Sequence, residues 1–192
     1  MLLLSRPNAG EIDAFLAKSE TDSYSYSEVG ATRTDLPSGY NIDHNRIRIG
    51  TGPDDFERAK DAVRKWQMFG FDWVEIHPGS TPIEVGRDVA ILIRHFGFWS
   101  LNSSRIVYVI DEPIRFGFAY STLTEHGEIG EERFLVEFDQ ESGEVWYDLL
   151  AFSRPGALLA RIGYLLSRYL QKRFASDSKV AMAQYVADRN RE

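Results

Sequence analysis

The chain contains no cysteine. Disulfides, thiolate metal sites and cysteine nucleophiles are therefore excluded. It also lacks any apolar run approaching the ~20 residues of a spanning helix. The opening MLLLSRPNAGE has three consecutive leucines with no basic region before them, short of a secretory signal. Basic residues are outnumbered: 22 Lys and Arg against 29 Asp and Glu leave a net charge of -7, which argues against nucleic acid as a partner. Only four histidines occur, at positions 44, 77, 95 and 126, and none has a paired-ligand spacing such as HExxH. The expectation is a cytosolic protein with no transmembrane segment, no metal and no other cofactor.

Aromatic residues are plentiful. They make up 13% of the chain, which suits a core or cavity lined with rings. A length of 192 residues is enough for one domain with a sizeable core, and no repeat, low-complexity tract or linker divides it. Residues 1–38 read as a helix and irregular lead-in, 39–175 as the folded core, and 176–192 as a helical extension.

Behind Pro7, Ile12, Phe15 and Leu16 recur at helical spacing. DHNRIRIG alternates Ile47 and Ile49 with His44, Arg46 and Arg48, as an antiparallel strand with one wet face does. GTGPDDFERAKDAVRKWQMF predicts a helix opened by Pro53, with Phe56, Ala59, Val63 and Trp66 on one stripe. FDWVEI is a short strand. DVAILIRHF, SRIVYVID, RFGFAYSTL and ERFLVEFD follow as strands, and EVWYDLLAF closes a hairpin across QESG.

GALLARIGYLLSRYLQKRF then puts Leu158, Ile162, Leu165, Leu166, Tyr169 and Phe174 on one face of a long helix. Arg161, Arg168, Lys172 and Arg173 take the other face, and the pattern continues beyond a break at Ser176 and Asp177. Gathered strands with a segregated helix predict an α+β fold. The arrangement expected is the helix-grip, a curved antiparallel sheet wrapped around a long C-terminal helix, which often encloses a cavity; the plainer alternative is a two-layer sandwich with a solid core.

Charged residues mark the outer face of each strand, so the opposite parity faces the helix. On this reading Ile91, Ile93 and His95 point inward, as do Ile106, Tyr108 and Ile110. So do Phe116, Phe118 and Tyr120, and Val145, Tyr147 and Leu149. In ERFLVEFD, Phe134, Val136 and Phe138 share a face, and the period of two carries Glu132 onto it. Burying a neutral polar group without a partner costs roughly 2–7 kcal/mol. Five inward polar positions (His95, Tyr108, Tyr120, Glu132 and Tyr147) therefore suit a ligand cavity better than a solid core. The plainer alternative is that tyrosine hydroxyls reach the core edge while Glu132 meets water or a cation at its strand end.

Other features carry less weight. RIGTGPDDF resembles the start of a dinucleotide loop, but the third glycine is missing and Asp54 and Asp55 would repel phosphate. Ser121 and His126 lie close in sequence, which does not make a triad. The basic residues Arg154, Arg161, Arg168, Lys172, Arg173 and Lys179 suit an acidic ligand or membrane headgroup, or pairing with neighbouring acids.

YNIDHNRIRIGTG, RFGFAYSTLTEHGEIGEERFLVEFD and GEVWYDLLAFSRPG together resemble an uncharacterised bacterial and plant family. It is the domain of unknown function nineteen-ninety, also called uncharacterised protein family five-forty-eight. The resemblance runs roughly from Tyr26 to Phe174 and implies the START and birch-allergen-like helix-grip superfamily. Members of that superfamily bind lipids, sterols, hormones and polyketides in the cavity, and some catalyse cyclisation or hydrolysis there. The resemblance supplies no catalytic residue. It departs after Tyr120, where Ser121, Thr124, Glu125 and Gly127 replace the family's Gly, Pro, Gly and Pro, while His126 is kept.

The leading expectation is a protein that binds a small apolar or amphipathic molecule between sheet and helix. Tyr120, His126 and Glu132 would orient its polar end, with His95, Tyr108, Tyr147, Phe118 and Phe134 on the walls and Arg154 and Glu131 at the rim. The alternative is a cyclase, hydratase or hydrolase using His126 and Glu132 as an acid–base pair. A third reading, an interaction module without a cavity, expects a filled interior.

Overall fold

The computed structural model describes residues 1–124, 128–156 and 163–188. In chain order the elements are β1 (Leu2–Leu3), α1 (Ala9–Ser19), β2 (Asn41–Thr51), α2 (Gly52–Arg64), β3 (Val74–His77) and β4 (Asp88–His95). They continue as β5 (Phe98–Glu112), β6 (Arg115–Thr122), β7 (Glu128–Phe138), β8 (Glu144–Pro155) and α3 (Tyr164–Ala187). The strands form one antiparallel sheet in the order β2-β8-β7-β6-β5-β4-β3, with β1 paired to β5. This is the expected α+β helix-grip architecture, with α3 lying across the inner face of the sheet.

The first long strand pairs with the last, so β2 and β3 end on opposite edges and α2 carries the chain between them. The turn into α2 explains the glycine-rich stretch. Gly52 takes a φ of 80°, Pro53 opens the helix, and the Asp55 carboxylate accepts a 2.9 Å bond from the Thr51 amide. A carboxylate of the chain itself therefore sits where a phosphate would, and the stretch is a helix cap. Helix α2 stops at Arg64, short of the predicted Phe69. Trp66 adopts a left-handed φ of 54°, and its indole donates to the Thr81 carbonyl at 2.8 Å.

The main core lies between sheet and helices. It joins Phe56, Ala59 and Val63 of α2 to Phe118, Phe134 and Tyr147 of the sheet and to Met182, Tyr185 and Val186 of α3. Helix α3 runs without a break through Ser176 and Asp177, and the buried Ser178 hydroxyl meets the Tyr147 hydroxyl at 2.8 Å. Its inward face differs from the one predicted. Leu165 is 83% and Tyr169 57% exposed, while Ala175, Ser178 and Met182 are buried. Leu158, Arg161 and Ile162 lie outside the described residues.

A second correction concerns β5. Its register against β6 shifts between Ile106 and Tyr108, so Val107 is an extra residue. Ile106 faces the main core as expected, but Tyr108 and Ile110 turn to the outer face and pack on Ala119 and Leu135.

The outer face is partly covered by the N-terminal residues. In α1, an Asn8–Glu11 capping box fixes the start, and Ile12 packs on Ala90, Leu92 and Leu101. The lead-in is pinned by Glu131. This buried carboxylate accepts from the Tyr26 hydroxyl at 2.7 Å, the Gly30 amide at 2.6 Å, the Thr32 amide at 3.0 Å and the Ser121 hydroxyl at 3.3 Å, and from the Thr32 hydroxyl as well.

Leaving such donors buried without an acceptor costs about 1–3 kcal/mol each where water cannot replace it. Glu131→Ala is therefore expected to destabilise the fold by on the order of 3 kcal/mol, read from urea denaturation. A loss under about 0.5 kcal/mol, the size of an ordinary surface change, would show that the network does not hold the lead-in.

Candidate functional site

The sheet and the N-terminal half of α3 enclose a cavity of about 430 Å³. Its walls are largely apolar, with Phe69, Trp73, Ile91, Ile93, Leu149 and Phe174 prominent. Acidic groups gather at one end, where β2, β7 and β8 meet α3: Asp43, Glu128 and Glu132, with Ser153 and Gln171 beside them, while His95, Ser100 and Asn102 line the β4–β5 side. A smaller depression of about 290 Å³ adjoins it and shares Trp73, His95 and Leu170.

Glu132 stands on the inner face of β7, opposite Tyr120 of β6 and Ala151 of β8. Its Oε2 accepts a 2.7 Å bond from the Tyr120 hydroxyl. The side chain keeps some accessible surface because the cavity beside it has room for water, yet protein surrounds it closely. That desolvation raises its pKa to about 7; the Tyr120 bond lowers it, and the charges of Glu128 and Asp43 raise it again. Burial also lifts the phenol of Tyr120 well above its usual range, reinforced by the neighbouring Glu132.

The surrounding acids are bound to α3. Arg168 grips Asp43 with both terminal nitrogens, one at 2.7 Å, and donates to Gln171 at 2.6 Å. Gln171 in turn donates to Glu128 at 2.5 Å and to Ser153 at 3.0 Å. Burial raises the pKa of Glu128, against the opposing bonds from Gln171 and Ser167.

Of the residues expected from sequence, Tyr120, Glu132 and His95 line the cavity. His95 lies on β4, three strands from Glu132, at the far wall, and burial lowers its pKa. Phe118, Phe134 and Tyr147 point inward as predicted but lie in the packed core and do not line the cavity. Tyr108 faces the opposite side because of the β5 bulge, and its hydroxyl meets that of Thr32 at 2.7 Å. Glu131 borders the cavity through its place in β7, but its carboxylate is on the outer face. Arg154 is exposed, with its guanidinium 4.6 Å from the Tyr40 ring, away from the wall. His126 lies outside the described residues.

Asp43, Glu128 and Gln171 were missed. The signal existed for two of them: Asp43 has the inward parity of Ile47 and Ile49, and Glu128 that of Glu132.

A family model described as "Domain of unknown function (DUF1990)" matches residues 25–181. The chain belongs to this family. A UPF0548 protein of Deinococcus radiodurans is 41% identical over 189 residues, covering 91% of this chain and 93% of that one. A UPF0548 protein of Dictyostelium discoideum is 33% identical over 207 residues, covering 97% and 96%. Among solved structures, a norcoclaurine synthase of Thalictrum flavum in complex with a transition-state analogue superposes with a TM-score of 0.51 at 10% identity, covering 81% of this chain and 99% of that one. At that identity the likeness concerns the fold alone. Within the described residues of this DUF1990 member, no helix is long and apolar enough to cross a membrane.

The pKa of Glu132 has a consequence for stability. An unfolded glutamate ionises near 4.5, whereas the folded one ionises near 7. Between those values the folded chain holds a proton that the unfolded chain has released, so this group's contribution to stability falls as pH rises through the window. Glu132→Gln is expected to flatten that part of the profile and to stabilise the fold relative to wild type above pH ~7. Urea denaturation from acid to neutral pH checks it, and an unchanged slope would mean that Glu132 titrates like an unfolded glutamate.

Proposed function

We propose that this cytosolic protein binds a small, largely apolar molecule in the cavity between its sheet and α3, with the polar end of that molecule at Glu132 and Tyr120. The observation that carries the reading is a cavity of about 430 Å³ with largely apolar walls and the acidic residues Asp43, Glu128 and Glu132 gathered at one end. That volume lies in the ~300–1,000 Å³ range of small-molecule sites, and the division of wall chemistry is typical of them. The complex of norcoclaurine synthase with a transition-state analogue supports the reading by analogy of fold only. A roomy interior argues against an interaction module that needs a filled one.

Ala151 lines the cavity directly across the strand pair from Glu132. Ala151→Trp fills that space and is expected to weaken binding of an apolar fluorophore at least tenfold, with the far-UV circular dichroism spectrum unchanged. Native mass spectrometry of gently purified protein should show a bound mass in the wild type and none in the variant. A folded variant that binds as the wild type does would sink the cavity reading.

A second reading rests on the ionisation of Glu132 near neutral pH beside a phenol, the property of a general acid–base group. On this reading the chain transforms the molecule it binds. Glu132→Gln should then lower turnover at saturating substrate by roughly a hundredfold or more, and an unaffected rate would remove Glu132 from the chemistry.

A further inference from the structure

The acidic end accounts for only part of the polar lining. Across the cavity, β4 and β5 place His95, Ser100 and Asn102 on the wall. Asn102 stands opposite Ile91 and Ser100 opposite Ile93, so apolar side chains flank this strip. Among the described residues, no Asp, Glu, Lys or Arg of β3, β4 or β5 lines the cavity.

Asn102 is only 6% exposed, yet its amide is poorly matched. It bonds through Nδ2 alone, to the Ile91 carbonyl and the Ser100 hydroxyl, each at 3.4 Å. Ordinary N–H···O bonds measure about 2.9–3.0 Å. No described residue donates to Oδ1, and that atom is not sealed inside protein, so it opens on the cavity. Unmet polar groups in a buried amide are costly. A ligand that displaces water from this wall must therefore supply the bond itself.

The group that fits is neutral. Burial holds His95, on the same wall, toward its uncharged form. No fixed charge on this side would answer a carboxylate or an ammonium. Because Oδ1 accepts, the matching group is an O–H or N–H donor.

Strand register sets the span. Glu132 pairs with Tyr120 and Tyr120 with Ile106, and Asn102 lies four residues along β5 from Ile106. Two strand spacings and four residues separate the Cα positions of Glu132 and Asn102 by roughly 16 Å, less where the sheet curves. An apolar body of medium chain length bridges such a gap.

We infer that the molecule taken into the cavity is polar at both ends: one end meets Glu132 and Tyr120, and the other gives a neutral hydroxyl or N–H to Asn102. This rests on the cavity-binding reading above and narrows it to a ligand class.

The test compares decanol, the α,ω-diol of decane and the monomethyl ether of that diol, by calorimetry and by quenching of Trp73, which lines the cavity. The ether keeps both oxygens but loses one donor. The expected result is one molecule per chain, with the diol at least threefold tighter than the more apolar ether. Asn102→Leu should weaken the diol at least tenfold and abolish its advantage over the ether, while decanol changes less than threefold. The comparison of diol with ether needs no variant, so it stays decisive if Asn102→Leu does not fold.

An ether that binds as tightly as the diol overturns the inference and leaves the cavity reading intact. So does an undiminished advantage of the diol in folded Asn102→Leu, or binding of decanol without the diol. Diol binding that survives in Ala151→Trp lies outside the cavity and also overturns the inference. Failure of all three probes to bind overturns the cavity reading and this inference with it.

Discussion

Strand pleating sends Glu131 and Glu132 to opposite faces of the sheet, and much of the molecule follows from that separation. Glu131 is met on the outer face by hydroxyls and amides from the lead-in and β6, which fix residues 26–32 against the sheet. Glu132 is met on the inner face by one phenol and an open space. The same functional group thus organises structure on one side and faces open space on the other. A slip of one residue in β7 would exchange the two roles, so both networks hold the strand to one register.

The open space depends on how α3 approaches the sheet. From its middle onward the helix presents Ala175, Ser178 and Met182 and packs down onto Tyr147. Toward its N-terminal half, bulky rings lie between helix and sheet. The Phe69 ring lies tilted 5.6 Å from Phe134 and 5.2 Å from Phe174, and Phe134 lies 6.3 Å from Phe174. Beyond this aromatic layer the helix makes polar contact with the sheet through Arg168 and Gln171. The cavity occupies the space between ring packing on one side and polar anchorage on the other.

Much of this was legible in the sequence, because charged residues on one parity give away the other. That reasoning placed Tyr120, Glu132 and His95 correctly. It failed at Tyr108 because one extra residue in β5 inverts every later side chain, and a bulge has no charge signature. Phe118, Phe134 and Tyr147 show a further limit: parity reports the face but not whether a helix covers the residue there. On α3, the large apolar residues Leu165 and Tyr169 suggested the wrong buried stripe. The face that packs closely is set by small residues, Ala175 and Ser178, whose value is the closeness they permit and not their hydrophobicity. The polar end was overlooked because its members come from β2, β7 and α3, distant in sequence and joined only in space.

The pairing of β2 with β8 also imposes an order of events. His44 and Asp148, which bond across that pair, are 104 positions apart. Contacts between such distant positions form late, since the intervening loop must close before they return any energy. Asp43 lies on β2, Glu132 on β7 and their cover on α3, so no locally folded fragment contains the acidic end of the cavity. The hairpins of the middle strands involve only local contacts, whereas the cavity exists only once the chain has closed on itself. A truncated or stalled product of this protein would thus present sheet edges to its surroundings but no cavity.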